Sequence, residues 1–323
     1  MSRVRKIFRD KYNTPSPKKP LRIGTRGSLL AVAQAEEVRN RLSSEFELPF
    51  TAFEIVKITT SGDLITDRPL KEIGGKGLFT KEIEHELLSG TIDIAVHSMK
   101  DMPVLQPCGL RIDTYLPRED IRDAFLSFEY SSIDDLPKDA ILGTSSVRRA
   151  AQVLNFRNDL QVIDFRGNVQ TRLQKLRSGI AFGTLLAMAG LNRLRISDVP
   201  IFPIEISDML PAAAQGAIGI ERRTSDLSAA YLLERINDYK TDRALSCERA
   251  YLKALDGSCQ TPIAGCAILE NGNIHFRAEI IKPDGSQKLT ESGVCLEEDA
   301  EELGIELAER LRSKAPPDFF SRL

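Results

Sequence analysis

The chain has 323 residues, 28% charged and 42% hydrophobic, with a formal net charge of −2 at pH 7. That length accommodates two or three domains, and the charge balance argues against a dedicated nucleic-acid binder. No apolar run approaches the roughly 20 residues that span a bilayer. Five cysteines (108, 247, 259, 266 and 295) form no C-x-x-C pair, and the histidines at 85, 97 and 275 are scattered. This usage suits a reducing cytoplasm and gives no metal site.

Residues 1–20 read as a flexible basic tail. Seven Lys or Arg against one Asp give them +6 and leave −8 for the remainder. The segment lacks the apolar stretch of a secretory signal, and organelle targeting is the competing reading. Leu21-Arg22-Ile23 reads as a short strand, and Ala31, Ala35, Val38 and Leu42 mark one face of a helix. Phe53 to Thr59 is a strand. A loop with Gly62, Pro69, Gly74, Gly75 and Gly77 follows. Phe79, Ile83 and Leu87 mark a second helix, stopped by Gly90, and Ile92 to Val96 is a strand. This alternation predicts a parallel α/β sheet.

A second α/β unit starts near residue 122. Ile141-Leu142 is its strand, and Gly143-Thr144-Ser145-Ser146 turns into a helix. Leu160 to Phe165 is the next strand. A helix with Val169, Leu173 and Leu176 on its apolar stripe follows, ended by Gly179. Gly24-Thr25 through Ser28 and Gly143-Thr144-Ser145-Ser146 occupy matching places in the two units, a weak internal echo. The last third differs. A helix capped by Thr241 runs to about Leu255, with Gly257 as its closing residue. Ala264–Leu269, Ile274–Ile281 and Lys288–Val294 are three strands, joined by turns at Asn271-Gly272 and Pro283-Asp284-Gly285. A helix from about Glu298 to Leu311 completes a small α+β domain. The join lies near residues 236–243.

Arginines cluster where anions bind. Arg148-Arg149 follow the Gly-Thr-Ser-Ser turn, Arg166 and Arg172 flank Gly167-Asn168, and Arg26 sits in the earlier loop. Guanidinium groups at helix N-termini suit a small ligand with several carboxylates or phosphates. A capped helix with solvated arginines is the bland alternative. His97-Ser98-Met99-Lys100-Asp101 lies at the carboxyl end of a strand, where open α/β sheets bind ligands. There Lys100 can hold a carboxylate, and Asp101 can stabilise a developing cation or pass a proton; an ordinary surface ion pair is the alternative. Small neighbours surround Cys259, leaving room for covalent attachment, although a lone cysteine is more often a buried apolar residue; Cys266 and Cys247 are candidates on the same grounds. Gly74-Gly75-Lys76-Gly77 suits a mobile lid or a plain solvated loop.

Seven segments together resemble the hydroxymethylbilane synthase, or porphobilinogen deaminase, family. They are Arg22–Ser28, Gly74–Phe79, Asp93–Pro103, Gly143–Arg149, Arg166–Leu173, Ala214–Ala217 and Gly257–Pro262. They stand in the family's order from about residue 20 onward. The resemblance implies two lobes like those of a type II periplasmic binding protein plus a C-terminal α+β domain with a three-stranded antiparallel sheet. It implies domains at 21–116 with 216–236, at 117–215 and at 237–323. It implies a monomer, free of nucleic acid and membrane, that condenses four porphobilinogen units head to tail with loss of ammonia. A dipyrromethane cofactor would be joined by a thioether to Cys259, and water would release the linear product.

By the same resemblance Asp101 is catalytic, contacting pyrrole N–H groups and stabilising the cation left when ammonia departs. Lys100, Ser28, Thr144, Ser146, Arg148 and Arg149 would bind the cofactor. Arg26, Arg166, Arg172 and Arg193 would bind substrate carboxylates. Lys76 and Asp63 would belong to a lid. Three departures stand out. Glu72 replaces a usual Lys, with Lys71 one place earlier. Ala181-Phe182 replaces an aromatic-Asp pair, and Ala213-Ala214 replaces Val-Gly. Two rival readings follow from the residues alone. A non-catalytic two-lobed binder of a small polycarboxylate would leave Asp101 without a task. A nucleic-acid module would sit poorly with the acidic remainder and the absence of Trp.

Overall fold

The computed structural model describes residues 14–64, 80–256, 261–317 and 319. Alternating apolar residues make Leu21–Arg26 the first strand, β1. Helix α1, Leu29–Phe46, follows, its N-terminus capped by Ser28, whose Oγ accepts from the Ala31 N–H. Ala35, Val38 and Leu42 on one face of α1 meet Ile23, Ile94 and Val96 in a fully buried core. Strands β2 (Phe53–Ile58) and β3 (Ile94–Ser98) run parallel to β1. Helix α2, Lys81–Ser89, lies between them in sequence and ends at Gly90, which takes the left-handed conformation with φ 80°.

The sheet is mixed, not purely parallel. β4 (Leu110–Tyr115) forms its edge, and the strand Ile218–Arg223, supplied from far along the chain, inserts antiparallel between β3 and β4. The described residues of Met1–Arg118 and Ala217–Asp242 thus make one compact unit.

The second unit contains Glu119–Gly216 and Arg243–Leu323. Its strands are β5 (Asp123–Leu126), β6 (Ile141–Gly143), β7 (Gln161–Ile163), β8 (Gly183–Ala187) and β9 (Ile201–Pro203). Helices α3 (Val147–Phe156), α4 (Val169–Arg177) and α5 (Met188–Arg193) accompany them. The inserted Ile218–Arg223 of the first unit is β10. The two five-stranded sheets then share one plan: order β2-β1-β3-β10-β4 in one and β7-β6-β8-β5-β9 in the other. In each, four strands point the same way and the fourth in order runs antiparallel to both its neighbours. The echo between the two Gly-Thr segments is therefore a topological equivalence. Gly24 and Gly143 sit inside strands, where a Cβ would lie 2.3 Å from the Ile92 side chain and 2.5 Å from the Phe165 ring. Their task is packing, and the anion-facing part of each motif starts later, at the helix cap.

After α6 (Leu227–Glu234), helix α7 spans Tyr239–Ala254. Its cap is Asp238 and not Thr241. Asp238 Oδ1 accepts from both the N–H and the hydroxyl of Thr241, at 2.8 and 2.7 Å. Past the helix, Asp256 takes the left-handed conformation (φ 53°), while Gly257 lies outside the described residues. Strands β11 (Ile263–Glu270), β12 (Asn273–Ile281) and β13 (Lys288–Leu296) form an antiparallel meander. Helix α8, Ala300–Lys314, covers it, packing Leu303, Leu307 and Leu311 on Phe276 and Ile280.

Ala214 is left-handed as well, with φ 63°, and fully buried. A Cβ in that region costs about 1 kcal/mol relative to glycine. Ala214→Gly is expected to stabilise the protein by about 1 kcal/mol and raise its melting temperature by roughly 2–4 °C. An unchanged or lower melting temperature by calorimetry would show that the surrounding backbone has absorbed the strain.

Candidate functional site

In the first unit, Arg26, Ser28, Gln34, Ser98 and Asp101 line an open pocket of about 470 Å3, mouth included. β1 ends at Arg26, and Ser28 starts α1. β3 ends at Ser98 and is followed by a single 3-10 turn, Met99–Asp101. The turn is held at both ends: the Met99 N–H donates to the Ala217 carbonyl at 3.0 Å, and the Met102 N–H to the Met99 carbonyl at 3.2 Å. Gln34 of α1 exchanges hydrogen bonds with the Ser98 hydroxyl at 2.8 and 3.1 Å. The Asp101 residue is exposed, and Lys100 is half-buried beside it. The fold thus collects Arg26, Ser28 and Asp101 around one pocket.

Beneath that pocket lies a buried polar group that sequence reasoning missed. His97 Nε2 is 3.0 Å from Glu221 Oε2 on β10, and both side chains are almost completely inaccessible. Glu84 of α2 is buried nearby. Burial pushes its carboxyl above the usual range, and Glu221 adds to the shift, against a Thr80 hydrogen bond and His97. The signal available in the sequence was Glu221 itself, a carboxylate directly after the apolar run Ala217-Ile218-Gly219-Ile220.

In the second unit, Ser146 caps α3, its Oγ accepting from the Arg149 N–H, and Thr144 Oγ1 accepts from the Ser146 N–H. Arg148 and Arg149 leave the first turn of α3 and are each only 4% exposed. Both converge on Asp123, the first residue of β5. Asp123 Oδ2 accepts from Arg148 Nη1 at 2.7 Å, and Oδ1 accepts from Arg149 Nε and Nη2 at 3.0 and 2.7 Å. Gln215 Nε2 donates to Oδ1 as well, at 3.0 Å. Burial works against the Asp123 charge, but the two guanidiniums outweigh it and hold this carboxyl well below the usual range. Arg149 Nη1 also donates to the Leu185 carbonyl. Arg148 Nε is buried and has no hydrogen-bond partner among the described residues.

The remaining sequence-predicted cations lie on neighbouring elements. Arg166 Nε is 3.0 Å from Asp164 Oδ2, Arg172 Nε donates to the Gly167 carbonyl at 2.9 Å, and Arg193 Nη2 donates to the Gly216 carbonyl at 3.1 Å. All three are half-buried. Cys259, Lys76 and the side chain of Asp63 lie outside the described residues. Of the other cysteines, Cys247 and Cys266 are buried, and burial, reinforced by Glu248 and Cys295, drives the Cys247 thiol far above its ordinary range. Among the described residues, no group of His, Cys, Asp and Glu is arranged to hold a metal ion.

Gln152 extends the arginine cluster to the small sheet. Its Oε1 accepts from Arg148 Nη1 at 2.8 Å, and its Nε2 donates to Glu279 Oε1 on β12 at 2.7 Å. Burial raises the Glu279 carboxyl, against the Gln152 hydrogen bond and the nearby Lys288, Arg148 and Arg277. A raised carboxyl keeps its proton in the folded state at pH values where the unfolded chain, near 4.3, has lost it. Stability therefore falls as pH rises from the unfolded value through the folded one. Glu279→Gln is expected to melt with wild type near pH 4 and a few degrees above it at pH 8. Melting curves at the two pH values check this; a variant less stable at pH 8 would mean that the ionised carboxylate is favourable there.

Two family models match the chain, one on either side of residues 231–242. Residues 21–230 match the family model described as "Porphobilinogen deaminase, dipyromethane cofactor binding domain", and residues 243–313 match "Porphobilinogen deaminase, C-terminal domain". The porphobilinogen deaminase of Paracoccus denitrificans is 55% identical over 306 residues, covering 95% of this chain and 98% of the relative. That of Nitrobacter hamburgensis is 50% identical over 299 residues, covering 93% and 95%. Among solved structures, the periplasmic VFT2 domain of Bordetella pertussis BvgS aligns at 12% identity and TM-score 0.41, covering 73% of this chain and 91% of that one. A periplasmic binding protein of Salmonella typhimurium aligns at 13% identity and TM-score 0.39, covering 73% and 93%.

Proposed function

The chain belongs to the porphobilinogen deaminase family, and we propose that its chemistry centres on Asp101 in the pocket beside Arg26 and Ser28. It is a transferase that condenses porphobilinogen head to tail with loss of ammonia, and it carries a dipyrromethane cofactor. The observation that carries the site reading is the placing of one exposed carboxylate with a guanidinium and a helix-cap hydroxyl in a single pocket. The Asp101 carboxylate accepts from the pyrrole N–H and offsets the positive charge that develops on substrate carbon as the C–N bond to ammonia breaks. Arg26, Arg166, Arg172 and Arg193 hold the acetate and propionate arms of the substrate. Lys76 and Asp63 serve the lid.

The second-unit cluster fits a ligand with several carboxylates. Two guanidiniums face one carboxylate there, and the buried Arg148 Nε lacks a protein acceptor among the described residues. Arg148 and Arg149, with Thr144 and Ser146 at the start of α3 and Lys100 and Ser28 of the first unit, hold the cofactor's carboxylates. When bound, dipyrromethane supplies the primer pyrrole from which the product grows. We assign its thioether to Cys259. The burial of Cys247 and Cys266 argues against those two, because an attachment sulfur must be reachable as a thiolate; Cys108 is exposed and Cys295 half-buried, and the choice of Cys259 over them rests on the resemblance of Gly257–Pro262 to the family's motif. We further propose a cytoplasmic monomer, with domains at 21–116 with 216–236, at 117–215 and at 237–323. The cysteine usage supports the compartment, and among the described residues no helix is long and apolar enough to cross a membrane.

Asp101→Ala is expected to keep the fold and lower turnover by about 10²–10³ or more. Tetrapyrrole production near the wild-type rate by the purified, folded variant would remove Asp101 from the chemistry. Cys259→Ser is expected to yield protein without the dipyrromethane mass, because a hydroxyl is a far poorer nucleophile than a thiolate. Cys247→Ser and Cys266→Ser are expected to retain that mass. Intact-mass spectrometry of the three variants decides the attachment site, and a dipyrromethane-sized addition on the Cys259→Ser chain would refute it.

A further inference from the structure

We infer that Asp123 is a positioning residue that aims the guanidinium groups of Arg148 and Arg149 at the cofactor's carboxylates; the inference rests on the proposed role of those two arginines. β5 runs antiparallel to β8, so its first residue lies at the carboxyl end of the parallel strands β6 and β8. That is the end at which α3 begins and at which open sheets bind ligands. Along β5, Asp123 shares a face with Phe125, which packs with Val153 of α3. The carboxylate is therefore fixed under the first turn of α3, with no exposed surface.

Both Asp123 oxygens are committed. Oδ1 accepts three bonds, from Arg149 Nε, Arg149 Nη2 and Gln215 Nε2, and Oδ2 accepts from Arg148 Nη1. The Arg149 fork is gripped along the edge that carries Nε and Nη2, and Nη1 is used by the Leu185 carbonyl. Arg148 is tethered at Nη1 alone, by Asp123, Gln152 and the Leu210 carbonyl. Its opposite edge keeps a buried Nε–H without a protein acceptor among the described residues. One carboxylate against two guanidiniums leaves an excess positive charge that an anionic ligand compensates. Asp123 thus orders both forks while leaving Arg148 with a donor directed elsewhere. A flexible arginine would lose that order and with it the geometric selectivity for carboxylates.

The test compares Asp123→Asn, Asp123→Glu and Arg149→Lys with wild type and with Cys259→Ser. All are produced in cells that make porphobilinogen. The readouts are the fraction of folded chains carrying the dipyrromethane mass and the melting temperature. Asp123→Asn is expected to lower the loaded fraction by about tenfold or more, with a melting temperature near that of the Cys259→Ser protein. Asp123→Glu keeps the charge and is expected to recover loading above the Asn variant; it also serves where the Asn variant does not fold. Full loading of folded Asp123→Asn protein, with only a lowered melting temperature, would reduce Asp123 to a structural ion-pair partner and overturn the inference, as would folded Asp123→Glu protein that carries no more cofactor than the Cys259→Ser protein. Poor loading of Arg149→Lys beside full loading of the Asp123 variants sinks this inference alone. Full loading of all three sinks the reading of the arginines on which it rests.

Discussion

One strand in each five-stranded sheet runs against its neighbours, and the placement of the functional groups follows from that reversal. A parallel strand delivers only its last residue to the ligand end of a sheet. A reversed strand delivers its first residue there, together with the segment that leads into it. In the first unit the segment leading into β10 brings the Ala217 carbonyl to the Met99 N–H and so fixes the turn that carries Asp101. In the second unit the reversal brings Asp123 under the cap of α3. The same topological device supports a carboxylate open to ligand in one case and a carboxylate sealed from it in the other.

The sealed carboxylate is energetically demanding. Removing charges from water costs several kcal/mol per ion, and pairing repays that only when every lone pair is used. Asp123 is well supplied, with three hydrogen bonds on Oδ1 and one on Oδ2. The two arginines together are not fully matched, since Arg148 Nε stays without a partner among the described residues. An apolar trio of similar volume would stabilise the fold at least as well. The cluster therefore makes sense as a device for holding charge in a defined direction, not as a source of stability. His97 and Glu221 form the corresponding buried pair of the first unit, below the wall that carries Ser98 and Asp101.

Much of this was legible from residue patterns. Helical spacing at Ala31, Ala35, Val38 and Leu42 located α1 and its buried face, and the turn residues Asn271-Gly272 and Pro283-Asp284-Gly285 located the meander. The segments ending in Ser28 and Ser146 were readable as matching places in the two units; that both serines cap the helices that follow comes from the structure. The reversed strands were not legible. β5 has only four residues, all buried, and β10 pairs with residues more than a hundred positions away, so neither has a local periodic signature. Asp123 and Glu221 escaped for the same reason: their partners are distant in sequence. The arginine pair was visible as cationic, but its burial was not. Thr241 was mistaken for the cap because the helix starts almost a turn earlier: Asp238 is the cap, and its Oδ1 accepts from the N–H of Thr241 itself.

The small sheet is tied to the arginine helix by contacts that the α7 and β12 sequences conceal. The side chain of Glu248 on α7 is fully buried, and its two oxygens accept from the Ala214 and Ala267 N–H groups at 2.5 and 2.7 Å. Gln152 bridges Arg148 to Glu279, and Asn155 Nδ2 donates to the Gly285 carbonyl at 2.8 Å. At Gly285, whose φ is +73°, an added Cβ would stand 2.6 Å from the Asn155 backbone nitrogen, so the hairpin turn sits directly on α3. β11 starts at Ile263, four residues after Cys259, and the Gly265 N–H donates to the Pro211 carbonyl. The strand that follows the proposed attachment cysteine and the helix that presents Arg148 and Arg149 therefore belong to one packed body. Charge-bearing donors on that body keep fixed positions relative to the small sheet, and a ligand they hold is restrained accordingly. That lowers the conformational cost of keeping it aligned through repeated additions.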